Sequence, residues 1–357
     1  MRRLDGKFFV RLFLSLAVSA IFAAFSLRHT DLSDVAAAIA AAKPGPIFGY
    51  LGILLVVHVV KTVRWGVLLK PLGEISFRRL NSASAVGFML MVLLPLRLGE
   101  LARPLLVARP QAGEGHPLPR AATLATCLVE RSVDILAVGV LGIISLQYLA
   151  PSGEAAELVR HGATLVTAGF AALCVGLVVA FFMREQTVAL LRRVLRPISP
   201  NLAERVALLT DRFIGGMHLG SAASVLWFLA LTAGYWSLHV WGFWLVATAF
   251  ALPITPLMAC TVLTCQVVGI MIPAGPGQVG TSQFFTQLGL SIFVPASLTV
   301  AEVAARAAGY ANTIWLLQFG QQVVTGIVFL ALGQVSLRGI FDRWEGDPLA
   351  AEKAVGE

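Results

Sequence analysis

Charge is scarce in this sequence: Asp, Glu, Lys and Arg together make up 13% of 357 residues, against roughly a quarter in ordinary globular chains. So little charged side chain excludes a soluble fold of this size. Cysteine is also rare, and Cys127, Cys174, Cys260 and Cys265 lie in or beside apolar runs with no CxxC pair and no His at metal-ligand spacing. A structural zinc is thereby excluded, and packing accounts for all four. No GxxxxGK[ST] loop, HExxH, EF-hand or GxSxG occurs, which removes direct ATP coupling, zincin chemistry and the hydrolase nucleophile elbow. No cofactor and no metal are expected.

What fills the space is apolar sequence, 57% of the chain. Runs at 8–27, 45–69, 121–150, 162–183, 220–250 and 307–333 each reach the roughly 20 residues that cross a hydrocarbon core. The sequence therefore predicts an all-α polytopic membrane protein with six full spans. The start resembles a signal peptide, with Val18-Ser19-Ala20 as a cleavage pattern, but its apolar run continues to Leu27 and reads as an uncleaved first span.

Lys and Arg (27) exceed Asp and Glu (19), yet the basic residues fall between the spans rather than on one folded face. That distribution speaks against nucleic acid. With the N-terminus in the cytoplasm, 21 of the 27 basic residues lie on that side, including the five from Lys61 to Arg79, and only Arg28, Lys43 and Arg160 lie opposite. Both termini are then cytoplasmic. The expected organisation is one transmembrane domain over 1–335 and a polar cytoplasmic tail over 336–357. Residues 28–44 read as a short outer-surface helix and spacer. Residues 184–218 read as two basic surface helices broken by Pro197 and Pro200, which anchor topology or recruit lipid at the inner leaflet.

Two segments do not fit simple crossing. Residues 82–96 are short and are followed by Arg97, Glu100, Arg103 and Arg109, so a full crossing would put arginines outside. A re-entrant hairpin from the cytoplasm removes the conflict. Residues 256–294 carry PAGPGQVGTS in otherwise apolar sequence, where Pro273, Gly275, Pro276, Gly277 and Gly280 break a helix. A second hairpin, from the outside, fits the parity. Pro95 to Glu100 and Pro273 to Gln278 share P-x-x-x-G-[E/Q], and each is followed by an intramembrane arginine, Arg131 and Arg306. Opposite entry plus matching breaks is the pattern of inverted-repeat transporters; chance similarity is the competing reading.

The candidate site residues follow from the cost of charge at bilayer depth, at least roughly 2.5 to 3.5 kcal/mol each. Glu130, Arg131 and Asp134 stand on one helix, with Arg131 and Asp134 at pairing distance; they form either an internal ion pair locking helices or the polar lining of a headgroup path. Glu302 and Arg306 repeat the arrangement at i and i+4. Arg97 and Arg103, beside Gly99 and Glu100, offer forked donors that suit phosphate, or else serve as topology signals. Around Pro273, Gly277 and Gly280, backbone amides can approach a ligand while Gln278, Thr281, Ser282 and Gln283 offer neutral hydrogen bonds; a dry broken helix is the alternative. His58 and His239 are read as interhelical hydrogen-bonding residues, and Trp227, Tyr235, Trp236, Trp241 and Trp244 as interface anchors.

With those residues assembled, the sequence resembles the flippase-like family, also called the lysylphosphatidylglycerol synthase transmembrane-domain family. The likeness rests on Arg64-Trp65 with Leu68-Leu69, on LPLRLGELARPLL at 94–106, on Glu130-Arg131 with Asp134, on the Pro-Gly loop at 273–280, and on Arg306. It implies a helical domain of a bacterial cytoplasmic membrane that moves lipids or lipid-linked headgroups between leaflets, with anionic or isoprenoid lipids as partners. The short tail from Ser336 suggests a stand-alone member, a group with one hopanoid-associated branch. Where the family commonly has a glutamate after the loop, Ser282 and Gln283 stand here, which weighs against carrying over a proton or cation role. An integral membrane enzyme or an accessory protein acting on headgroups or lipid-linked sugars is the rival expectation.

Overall fold

The computed structural model describes residues 6–27, 31–94, 99–108, 118–149, 154–197, 199–215, 221–272, 274–293 and 300–333. The described residues are all-α, with helices α1 (Gly6–Leu27), α2 (Leu32–Ala41), α3 (Pro44–Leu69), α4 (Phe77–Leu93), α5 (Ala102–Val107), α6 (Arg120–Leu149), α7 (Glu154–Phe182), α8 (Arg184–Leu195), α9 (Pro200–Gly215), α10 (Ala222–Ala249), α11 (Pro256–Gly269), α12 (Thr281–Ser291) and α13 (Val300–Ala331). Pro44 and Pro256 open α3 and α11 at first-turn positions where a missing N–H costs nothing.

Helices α1, α3, α6, α7, α10 and α13 correspond to the six apolar runs and contain 22 to 32 residues. Three stretches, Pro44–Leu72, Ala222–Ala249 and Glu302–Ala331, are long and apolar enough to cross a membrane. Exposed hydrocarbon is not confined to those three. Large apolar side chains point outward on every long helix: Phe13 on α1, Leu55 on α3, Val140 on α6, Leu165 on α7, Leu226 on α10 and Val324 on α13. Water would penalise so much exposed hydrocarbon, whereas lipid tails match it.

Both irregular segments fold back on themselves. Helix α4 starts at Ser76, whose Oγ accepts from the Arg79 amide, and α5 returns beside it. Gly99 marks the return: a Cβ there would lie 2.1 Å from the Leu90 carbonyl carbon and 2.2 Å from the Met91 nitrogen, so only glycine permits this approach. The buried Arg79 closes the hairpin base by donating to the Val107 carbonyl at 2.6 Å. In the second hairpin α11 and α12 pack antiparallel around a turn in which Gly277 and Gln278 have φ of 71° and 55°. Gly280 (φ 85°) leads into α12 and touches α1, where a Cβ would meet the Ser19 carbonyl oxygen at 2.3 Å. Glycine is needed there twice over.

The two hairpins rise from opposite ends of the bundle. The base of α4 packs with Trp65, Leu68 and Leu69 at the C-terminal end of α3. The base of α11 packs near Tyr50 at the N-terminal end of α3, against Ala249, Phe250 and Leu252. The surface helices also form as expected, with α8 and α9 joined by two bonds from Arg184 to Asp211 at 2.6 and 2.8 Å. Helix α2 is more than a spacer. Val35 is buried, Ile39 packs beside Gly309 of α13, and the Lys43 amide donates to the Ala249 carbonyl.

Candidate functional site

Helical spacing assembles the site from stripes on otherwise apolar helices. On α3 the inward face carries Leu54, Val57, His58, Lys61, Arg64 and Trp65; on α10 it carries Phe228, Thr232, Tyr235, Trp236 and His239. Where these faces meet α6, four charges form a buried chain. Arg64 donates from Nη1 and Nη2 to both Asp134 oxygens, at 2.5 and 2.8 Å, and from Nη2 to Glu130 at 2.8 Å. Glu130 is also paired with Arg103 of α5. Trp236 Nε1 donates to Asp134 at 3.2 Å, and the Arg103 guanidinium lies over the Trp65 ring at 4.1 Å. Arg64 is fully buried and the other three are at most 7% exposed. Two cations and two carboxylates cancel, and forked guanidinium geometry supplies the hydrogen bonds that let such a group persist out of water.

This corrects the pairing expected along α6. Asp134 takes its cation from α3, and Arg131 instead donates to Glu100 of the first hairpin at 2.9 Å. It also corrects the charge count, because Lys61, Arg64, Arg79 and Arg103 belong to packed helices and not to loops.

One turn from the quartet, a cavity of about 150 Å³ opens at the middle of α3. Its walls come from α3, α4, α6, α10, α11, α12, α13 and the turn of the second hairpin. Met91 and Val92 at the deep end of α4 and Gly277 and Gln278 at that turn face the same space, so the two opposed hairpins meet there. One side is cationic. Lys61 sits with its ammonium 4.2 Å from the Phe88 ring centroid and has no ion pair among the described residues, and Arg131 is adjacent. A cation–π contact is worth about 0.5 to 2 kcal/mol, less than the roughly 2.5 to 3.5 kcal/mol cost of a charge at bilayer centre. The opposite side is amide-rich, with Gln266, Gln278, Gln318, Gln321, Gln322 and Ser282. Gln266 donates to Ser282 and Gln318, and Gln318 donates to the Tyr50 hydroxyl, which fixes this wall. Among the described residues no carboxylate lines the cavity and no His/Cys/Asp/Glu group could hold a metal ion.

Of the residues expected at the site, Arg131, Gly277, Gln278 and Ser282 line the cavity, and Glu100 is held against Arg131. Glu130, Asp134 and Arg103 stand beside it, committed to the quartet. Gln283 is turned to another task, accepting from the Gly280 amide at 2.8 Å as a helix cap, and Gly280 serves the contact with α1. Glu302 and Arg306 stay near the start of α13; Arg306 precedes the nearest lining residue, Trp315, by nine positions, about 13 Å of helix. Arg97, Pro273 and the 336–357 tail lie outside the described residues.

Lys61, His58, His239, Tyr235 and the α13 glutamines were not among the expected site residues. His58 does bond Asn81 at 2.9 Å, but neither ring nitrogen of His239 has a partner among the described residues. Tyr235 and Trp236 are buried, unlike the exposed Trp227 and Trp241, so they wall the cavity and do not anchor an interface. The signal was present as helical spacing: His58 and Lys61, Tyr235 and His239, and Gln318 with Gln321 and Gln322 each repeat at three or four residues.

No curated protein and no solved structure is significantly similar to the chain. The profile of one family, the lysylphosphatidylglycerol synthase TM region, matches residues 12–315, a stretch that includes the quartet and most of the cavity lining. An all-helical bundle with outward hydrocarbon, matched over most of its length, is a membrane protein, and the chain belongs to the lysylphosphatidylglycerol synthase TM region family.

Proposed function

We propose that the protein moves a lipid between leaflets by passing its headgroup through the mid-bundle cavity while the acyl tails stay in the bilayer. The observation that carries this reading is a polar cavity at the centre of α3, walled by the ends of two hairpins that enter from opposite sides. A cavity near 150 Å³ is about the size that holds benzene, so it suits a headgroup and excludes tails. Backbone breaks at that depth persist against protein or a wet cavity, the arrangement of alternating-access carriers. Six spans with both termini cytoplasmic, a domain ending near residue 335 and a bacterial inner-membrane location complete the proposal.

The buried carboxylates argue against the enzyme reading. Glu130 and Asp134 both hold arginines, so neither is placed as a general base. The test is reconstitution into vesicles carrying fluorescent phospholipids of several headgroups, followed by quenching of the outer leaflet. Protein-dependent loss of the protected fraction for at least one headgroup is the expected result. Transfer no faster than in protein-free vesicles across the whole panel would remove the transport reading.

A further inference from the structure

We infer that the exposed face of α8 is a docking surface for a negatively charged leaflet, with Arg193 and Arg196 receiving lipid phosphates and Leu190 and Val194 entering the acyl region beside them. The inference does not rest on the transport reading, and no residue of α8 or α9 lines the mid-bundle cavity. Its first support is placement. Helix α7 ends at Phe182, and Met183 (φ −108°, ψ 41°) turns the chain directly into α8. Phe182 and Met183 are both exposed, so α8 starts where an apolar run of spanning length stops. A helix attached there without a linker lies at headgroup level. Its partner α9 is tied to the same end of the bundle: Ile214 packs with Ala125 and Val129 of α6 and Ala180 of α7, and Arg184 bonds Asp211 twice.

The second support is the division of the helix surface. Val188 is buried and marks the inward side of α8. On the outward side, Ala189, Arg192, Arg193 and Arg196 follow at i, i+3, i+4 and i+7, and with Pro197 they enclose a shallow recess. Leu190 and Val194 form an exposed apolar stripe next to Arg193. Arg192 donates to Glu204 at 2.8 Å, whereas Arg193 and Arg196 have no ion pair among the described residues. Forked cations around one recess suit phosphate oxygens. A soluble anion would satisfy the arginines and leave the hydrocarbon in water. An anionic bilayer surface satisfies both at once, the pairing on which interfacial basic helices depend.

Amide hydrogen exchange of the full-length protein in nanodiscs tests this, comparing pure phosphatidylcholine with phosphatidylcholine that contains phosphatidylserine or phosphatidylglycerol. Exchange in α8 should be slower in both anionic discs, by about fivefold for each unpaired arginine, the factor for one basic side chain beside an anionic surface. The two anionic lipids should act alike, because the arginines answer to charge and not to the rest of the headgroup. Arg193→Gln combined with Arg196→Gln should abolish the slowing, and Arg193→Lys with Arg196→Lys should keep part of it, with exchange in α3 as the reference within each sample. Equal exchange in neutral and anionic discs overturns the docking surface, as does slowing that survives the double glutamine variant. The same slowing produced by inorganic phosphate in detergent overturns the membrane assignment. A response confined to one of the two anionic lipids overturns recognition by charge.

Discussion

Arg64 and Lys61 lie one turn apart on the same helix, yet they belong to two regions with opposite physics. Arg64 is fully buried and meets two carboxylates; Lys61 lines a cavity beside the Phe88 and Tyr235 rings and has no ion pair among the described residues. The same split runs through α6, where Glu130 and Asp134 turn into the quartet while Arg131 turns to the cavity and the first hairpin. One region spends its charges on each other and holds α3, α5, α6 and α10 together. The other holds Lys61 without an ion pair among the described residues, on the wall of the cavity through which we propose that the headgroup passes. Locking and binding can therefore be told apart by the sign of a mutation's effect.

The largest expected effect lies in the quartet. Arg64→Met strands Asp134 and half of the Glu130 pairing, and should cost about 3 to 5 kcal/mol of stability, read as a lowered unfolding midpoint in detergent. Adding Asp134→Asn should recover part of that loss, since removing both partners leaves no orphaned charge. A single Arg64→Met variant that unfolds like the parent would break the comparison at its root. Next comes the hairpin: Gly99→Val forces a side chain onto the Leu90 and Met91 backbone, an overpacking that should cost about 1 to 3 kcal/mol and reduce the yield of folded protein.

Lys61→Met sharpens the contrast because its sign is reversed. Relieved of an uncompensated cation, the variant should unfold about 1 kcal/mol later than the parent, while lipid transfer in vesicles falls about tenfold. Reduced stability in this variant would assign Lys61 to the locking region instead. The smallest effect belongs to Glu100→Gln. The Arg131 and Glu100 side chains are 36% and 37% exposed, and such a pair contributes about 0 to 1 kcal/mol. Unfolding should hardly move. Lipid transfer in vesicles should rise slightly as Arg131 is released, and a loss of transfer would mean that Glu100 itself contacts the headgroup.

Much of the architecture was legible in the chain because hydrocarbon solvent leaves few choices. Apolar runs of sufficient length become helices, and Pro and Gly at depth become breaks, so all six long helices and both hairpins follow from local sequence. The site was legible only in part. Gln278, Ser282 and Arg131 were reachable from their motifs, whereas Lys61 was counted with the loop cations and His239 with the interhelical hydrogen-bonding residues. Their roles depend on which face of a helix points at which neighbour, and a single apolar helix with a small polar stripe does not announce its partner.

The sequence by itself determined that this chain lives in lipid, which segments are helical and where the helices must break, since each follows from burial length and backbone chemistry within one segment. Tertiary structure alone decided which charges cancel and which stay open. Arg64, Asp134, Glu130 and Arg103 come from three helices up to 70 residues apart in the chain, and Coulomb attraction acts on distance in space. Lys61, one turn away, was left by the same packing without an ion pair among the described residues.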